Sequence, residues 1–138
     1  MPHRVAADTL RVLAVEDRPI MLKIIRKLLS NSGFRHIDEA LNGRAAMDLL
    51  KQQSYDLILS DWNMDELSGF DLLKHVRANP ATAATPFILI TAEAKPENIL
   101  AARKAGVDGY LLKPFGADAL RAAIVDALAK RQPSQAVA

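Results

Sequence analysis

Short strand-like segments alternate with amphipathic helical segments five times along this chain. The strand candidates lie at 10–15, 36–40, 55–60, 87–90 and 109–112. After each of them, apolar residues recur at the three- and four-residue spacing that is typical of a helix. Most of the strand candidates are continuously apolar, which indicates that both faces of the sheet are covered. The pattern therefore predicts an α/β fold, in which helices pack on both sides of a parallel sheet.

Turn and capping residues mark the ends of these helical segments. An Asn-Ser-Gly sequence at 31–33 ends the first helix, an Asn-Gly pair at 42–43 precedes the second, and an Asn-Pro pair at 79–80 follows the third. Pro96 suits the first turn of the fourth helix, because a proline there gives up no intrahelical hydrogen bond. Gly106 is expected to end that helix.

The length and composition indicate one globular domain. The 138 residues fit a single domain, which we place at 8–131, followed by a short polar tail at 132–138 with no room for an output domain. The absence of cysteine excludes disulfide scaffolds, thiol catalysis and thiolate metal sites. No apolar run approaches the roughly 18 residues of a membrane-spanning helix, and the N-terminus lacks the pattern of a secretory signal. We therefore expect a cytoplasmic protein.

The charge pattern argues against several classes of partner. The formal net charge is only +2, and the basic residues are scattered rather than clustered. Aromatic residues make up 5% of the chain, which is few for a surface that stacks on bases. We expect neither nucleic-acid binding nor membrane binding. The glycine-rich motifs of nucleotide and dinucleotide binders are also absent from the sequence.

Polar side chains follow four of the five predicted strands. The first strand is followed by Glu16 and Asp17, the third by Asp61, the fourth by Thr91 and the fifth by Lys113. Each residue alone could be a helix cap, a turn residue or a surface residue. Together they are more informative, because the carboxyl ends of parallel strands meet at one edge of the sheet, where ligands bind in this class of fold.

The residue types at this edge predict a particular chemistry. Clustered carboxylates repel one another, so a shared site implies raised pKa values or a bound cation. Oxygen ligands suit a hard divalent ion such as Mg²⁺. A carboxylate can act as a nucleophile and form an acyl phosphate, while a lysine and a hydroxyl stabilise the phosphoryl oxygens. The sequence therefore predicts Mg²⁺-assisted phosphoryl transfer to an aspartate.

Four segments carry a family resemblance: VEDRPIMLKIIRKLL, SDWNM, TAEAKPENI and GYLLKPF. They resemble response-regulator receiver domains and, among these, the single-domain chemotaxis regulators of two-component systems. The resemblance covers about residues 9–130. It implies a flavodoxin-like, doubly wound sheet of five parallel strands in the order 2-1-3-4-5, with five helices.

The resemblance also assigns metal and acceptor roles. It implies that Asp61 is the phospho-acceptor, which takes a phosphoryl group from a histidine kinase. Mg²⁺ would be bound by Asp17 directly, by Glu16 through water, by Asp61, and by the backbone carbonyl of Asn63. Lys113 would pair with the acidic cluster and then with the phosphoryl group. The protein would catalyse only its own phosphorylation and dephosphorylation.

The output side follows from the same resemblance. Thr91 would move to hydrogen-bond the phosphoryl group, and the rotamer of Tyr110 would follow it. The partner surface would lie around Ile99, Arg103, Val107 and Tyr110. The resemblance implies that the protein is a monomer and that it binds a flagellar motor switch protein. A phosphate sink or a relay receiver that does not act on the motor remains an alternative.

A small aspartyl-phosphate hydrolase of the haloacid-dehalogenase type is an alternative of another class. Such enzymes also place a nucleophilic aspartate after a strand. They usually need a second acid two residues later, and here that position holds Asn63, which cannot transfer a proton at neutral pH. The chain also lacks a substrate cap. This alternative is therefore disfavoured.

Four residues depart from the family pattern, and one of them is Pro96, which replaces a basic residue at the start of the fourth helix. Asp65 stands where a proline is usual and Glu66 follows it, while Arg18 follows the acid pair at a position that is apolar in the chemotaxis regulators. We hypothesise that Arg18 pairs with Asp65 or Glu66 across the mouth of the site. The alternative is that all three side chains point into water.

Overall fold

The computed structural model describes residues 7–131, so the predicted tail at 132–138 lies outside the described residues. Five strands and five helices alternate in the order β1 (Arg11–Val15), α1 (Pro19–Asn31), β2 (His36–Ala40), α2 (Gly43–Gln52), β3 (Leu57–Asp61), α3 (Gly69–Ala78), β4 (Phe87–Thr91), α4 (Pro96–Lys104), β5 (Gly109–Leu112) and α5 (Ala117–Lys130).

All neighbouring strands are parallel, and their order across the sheet is β2-β1-β3-β4-β5. The doubly wound α/β architecture and the strand order are therefore confirmed. Strand side chains alternate between two apolar cores, one beneath α1 and α5 and the other beneath α2, α3 and α4. In the region that the structure describes, no helix combines the length and apolar character needed to cross a membrane.

Local sequence explains where the helices begin. The Asn42 side chain accepts a hydrogen bond from the backbone N–H of Ala45 at 2.7 Å, which caps α2. Ser68 and Asp71 form a reciprocal capping box at the start of α3. Pro96 lies in the first turn of α4, as predicted.

Two glycines allow the loop between β3 and α3 to pack closely at the sheet edge. A Cβ atom on Gly69 would clash with the backbone carbonyl of Asp61, so a larger residue cannot start α3 here without moving the end of β3. A Cβ on Gly43 would come within 2.6 Å of the Leu67 side chain. The loop that follows Asp61 is therefore seated on the first turn of α2.

A buried carboxylate lies at the amino-terminal end of β5, away from the strand ends that carry the predicted site. Asp108 is 5% exposed and accepts hydrogen bonds from Arg77 at 2.8 Å, from Arg131 at 2.8 Å and from the backbone N–H of Phe87 at 3.0 Å. Both arginines also donate to the carbonyl of Gly106. This cluster joins the ends of α3 and α5 to the start of β5.

Candidate functional site

Three carboxylates meet at the carboxyl ends of β1 and β3. Glu16 is fully buried, Asp61 is 4% exposed and Asp17 is half-buried. One oxygen from each carboxylate lies within 4.8 Å of the others. The strand ends bring them together because β1 and β3 are paired neighbours, in a register that sets Val15 beside Ser60. The structure therefore assembles the acidic cluster that the sequence predicted.

Lys113 supplies the one ammonium that contacts these carboxylates among residues 7–131. Its Nζ lies 2.7 Å from Asp61 Oδ1 and 3.2 Å from Glu16 Oε1. The lysine follows β5, and its backbone N–H donates to the carbonyl of Thr91 at 2.8 Å, which fixes it beside β4. The peptide bond from Lys113 to Pro114 is cis.

The electrostatics of the cluster favour an added cation. Burial raises the pKa of Glu16, the nearby charge of Asp61 raises it further, and Lys113 offsets only part of this. Burial alone would lower the pKa of Lys113, but the hydrogen bonds and charges of Asp61 and Glu16 together outweigh burial, so that the pKa is raised. Three acids facing one ammonium leave an excess of negative charge, and the all-oxygen donor set fits Mg²⁺.

Thr91 and Tyr110 lie on the strands that complete this edge. Thr91 is 3% exposed at the end of β4, and its hydroxyl accepts a hydrogen bond from the backbone N–H of Glu93 at 3.2 Å. The Tyr110 hydroxyl donates to the carbonyl of Glu93 at 3.4 Å. The two predicted switch residues are thus connected through one residue of the loop between β4 and α4.

The remaining predicted residues lie on the loop after β3, on α4, and within or just before β5. Asn63 is exposed on the loop after β3, and its backbone role as a metal ligand stays a prediction. In the predicted partner surface, Ile99 and Arg103 lie one turn apart on α4, while Val107 and Tyr110 are partly buried against the core below. Their role in binding also stays a prediction.

The hypothesis about Arg18 is wrong. Within residues 7–131, Arg18 makes no ion pair with Asp65 or Glu66. Glu66 instead lies 3.4 Å from Arg44 of α2, on the loop whose Leu67 side chain packs closely against Gly43 of α2. Arg18 precedes α1, and its backbone N–H donates to Glu16 at 3.2 Å.

Sequence analysis did not predict the aromatic contacts beside the cluster. The Trp62 indole stacks on Phe70 with a centroid distance of 5.2 Å and meets the Tyr110 ring edge-on at 6.2 Å. Helical periodicity places Phe70 in the apolar stripe of α3, but no sequence signal pairs it with Trp62.

The chain is similar in sequence to known receiver-domain proteins. A family model of the response regulator receiver domain matches residues 12–125. The chain is 42% identical to "Chemotaxis protein CheY-3" of Vibrio cholerae over 112 residues, which cover 81% of this chain and 86% of that protein.

Solved structures show the same fold. The receiver domain of a signal transduction histidine kinase from Syntrophus aciditrophicus superposes with a TM-score of 0.81 and 26% identity, covering 91% of this chain and 95% of that one. The receiver domain of the sensor histidine kinase PA1611 from Pseudomonas aeruginosa PAO1 has a TM-score of 0.75 and 30% identity, covering 84% and 93%. That structure was determined with a magnesium ion coordinated in its active-site cleft.

Proposed function

The chain belongs to the response regulator receiver domain family, and from this premise we propose that it is a phosphorylation switch of a two-component system. A histidine kinase donates a phosphoryl group to Asp61, and the modified protein changes its affinity for a partner protein. The observation that carries this proposal is the position of Asp61, which is buried 2.7 Å from Lys113 within a cluster of three carboxylates.

The chemistry follows from the side chains at the site. A carboxylate oxygen of Asp61 forms a bond to phosphorus while the bond from phosphorus to the donor imidazole breaks, and the donor leaves as neutral histidine once a proton is returned to it. Lys113 holds the attacking carboxylate and then faces the added negative charge. Glu16, Asp17, Asp61 and the Asn63 carbonyl would hold Mg²⁺, which neutralises charge on the transferring group.

Two observations support Mg²⁺ as the cofactor. The donor set consists of carboxylate oxygens with an excess of negative charge, which is the environment that hard divalent cations prefer. The related receiver domain of PA1611 has a magnesium ion in its active-site cleft. The three carboxylates therefore form the proposed magnesium site of this chain.

The output acts through α4 and β5. In α4 only Ala102 is fully buried, and Leu100 is 54% exposed, so this helix is weakly anchored and offers apolar surface to a partner. The partner surface is proposed around Ile99, Arg103, Val107 and Tyr110. The similarity to CheY-3, a chemotaxis protein, supports a role in chemotaxis. A flagellar motor switch protein is the partner that the family resemblance implies. A relay or phosphate-sink role would use the same acceptor chemistry without the motor contact.

The experiment that tests this proposal is direct labelling. The protein is incubated with a small phosphodonor such as acetyl phosphate in Mg²⁺, and the modified residue is mapped by mass spectrometry after borohydride trapping. We expect one phosphoryl group on Asp61, and much slower labelling when Mg²⁺ is chelated. Labelling elsewhere, or labelling that ignores chelation, would contradict the proposed site.

Thr91→Ala should separate phosphorylation from output. Phosphorylation adds about −1.5 to −2 charge and three strong acceptor oxygens, which the Thr91 hydroxyl would bond. Such coupling is worth roughly 5- to 150-fold in partner affinity. We expect the variant to be labelled normally but to lose most of the affinity gain, measured by binding with and without the phosphodonor. Equal gains in the variant and the wild type would exclude this role of Thr91.

A further inference from the structure

We infer that Phe70 positions the Trp62 indole and thereby sets the resting orientation of Tyr110. The acceptor loop would then reach Tyr110 through an aromatic contact that is separate from Thr91. This inference rests on the proposed function, in which Tyr110 carries the output. Phe70 is a positioning residue here, since it acts on Tyr110 only through Trp62.

The rings of Trp62 and Phe70 form a stacked pair. Trp62 directly follows Asp61, and its ring is nearly parallel to that of Phe70, with an interplanar angle of 6° and a centroid distance of 5.2 Å. On the same indole, Tyr110 packs edge-on at 6.2 Å and 68°. Both geometries are among those that aromatic pairs prefer. Trp62 therefore touches the start of α3 and β5 at once.

Several contacts hold Phe70 and its neighbours in place. It lies in the first turn of α3, where the Ser68–Asp71 capping box fixes the backbone. The backbone N–H of Gly69 donates to the carbonyl of Trp62 at 2.9 Å, so the residue before Phe70 already holds the Trp62 main chain. The Lys74 ammonium lies 4.8 Å from the centroid of the Phe70 ring and adds a cation–π contact to it.

The Tyr110 ring packs against the core, but its hydroxyl makes one long hydrogen bond. The hydrogen bond from its hydroxyl to the Glu93 carbonyl measures 3.4 Å, which is long for an O–H donor. The backbone N–H of Glu93 also donates to the Thr91 hydroxyl. The hydrogen bond from Tyr110 to Glu93 is therefore part of the connection between Tyr110 and Thr91. The contact with Trp62 is a second connection, and it begins at the residue next to the acceptor.

The sequence provides clean probes for this inference. Trp62 is the chain's one tryptophan, and Tyr55 and Tyr110 are its two tyrosines. Tyr55 is 6% exposed and donates to Asp38 at 2.6 Å, so it serves as an internal reference. Protein labelled with 3-fluorotyrosine should give one ¹⁹F signal from each tyrosine.

The test compares Phe70→Leu with the wild type in the absence of any phosphodonor. We expect a shifted or broadened ¹⁹F signal from Tyr110, an unchanged signal from Tyr55, and faster decay of Trp62 fluorescence anisotropy. An aromatic pair of this kind should change the Tyr110 rotamer ratio by roughly two- to tenfold. Phe70→Tyr adds a third ¹⁹F signal of its own, but it should leave the Tyr110 and Tyr55 signals at their wild-type positions, because it keeps the stack. Phe115→Leu, on the other face of the sheet, is the matched control and should leave Tyr110 unmoved.

Two further variants make the result decisive. Trp62→Leu removes the indole that contacts both Phe70 and Tyr110. It should shift the Tyr110 signal even if Phe70→Leu folds poorly. In a Thr91→Ala background, Phe70→Leu should produce the same shift as in the wild type. A Tyr110 signal that stays unchanged in both Phe70→Leu and Trp62→Leu would overturn the inference, and so would a shift that vanishes without Thr91.

Addition of beryllium fluoride and Mg²⁺, which mimics the phosphorylated state, tests the proposed function separately. If wild-type Tyr110 responds to beryllium fluoride, the switch is supported. If it does not respond, the switch proposal fails, whereas the effect of Phe70→Leu on the free protein still decides whether the stack sets the orientation of Tyr110.

Discussion

Asp108→Ala is expected to lower the free energy of unfolding by about 3–5 kcal/mol, because it removes the carboxylate of a buried ion pair and leaves its partner uncompensated. Arg77 is only 13% exposed, and burial already lowers its pKa, as does the neighbouring Arg131. Without Asp108, two guanidinium groups would face each other, and the Phe87 N–H would lose its acceptor. Urea denaturation followed by circular dichroism measures this change.

The control for this prediction is another aspartate–arginine pair. Asp118 lies 2.7 Å from Arg121, but its side chain is 98% exposed, so Asp118→Ala should leave stability almost unchanged. The double variant Arg77→Met with Asp108→Leu should cost less than the sum of the two single changes, since it removes both charges together. An Asp108→Ala variant as stable as Asp118→Ala would contradict the structural role of this cluster.

Most element boundaries could be anticipated because local signals agree with the fold, whereas the strand order was implied only by the family resemblance. The continuous apolar run at 87–90 becomes the fully buried β4, and Pro96 begins α4 as expected. The third strand was predicted to begin at Tyr55 but begins at Leu57. Tyr55 is apolar enough to continue the pattern, yet its hydroxyl is directed to Asp38 at the preceding strand. Hydrophobic pattern alone does not register such a tertiary hydrogen bond.

The acidic cluster could be anticipated for a topological reason. Glu16, Asp61 and Lys113 are far apart in sequence, but each lies at the carboxyl end of a strand, and the carboxyl ends of parallel strands meet at one edge of the sheet. The path of the loop after β3 could not be anticipated in this way. It depends on the close packing of Leu67 against Gly43, and in this packing Glu66 lies beside Arg44.

The Asp108 cluster was likewise absent from the sequence predictions. An aspartate before a short strand is usually a turn residue, and nothing in the spacing connects it with Arg77 or Arg131. Only the tertiary structure brings the ends of α3 and α5 to that position. The chemistry at the ends of the strands was therefore predictable, whereas contacts between long side chains from separate helices were not.

Asp61→Asn is expected to abolish labelling by acetyl phosphate. The amide has nearly the shape of the carboxylate, but its oxygen is a poor nucleophile and cannot form a stable acyl phosphate. Burial raises the pKa of Glu16, the charge of Asp61 raises it further, and the substitution removes this second cause. An acid whose pKa is raised in the folded state destabilises the fold at pH values above the ordinary pKa of that acid. A smaller rise in the pKa of Glu16 should therefore increase the stability of the metal-free variant at neutral pH. The variant should therefore resist urea at least as well as the wild type.

Retained stability distinguishes lost chemistry from lost structure, and a nearby aspartate completes the comparison. Asp65 is exposed four residues along the same loop, so Asp65→Asn changes the same functional group outside the buried cluster. It should be labelled at close to the wild-type rate. Mg²⁺ should quench Trp62 fluorescence in Asp65→Asn as in the wild type, but only at higher concentration in Asp61→Asn, because one of the three carboxylates is gone. Wild-type labelling of Asp61→Asn, or loss of labelling in Asp65→Asn alone, would move the acceptor away from the end of β3.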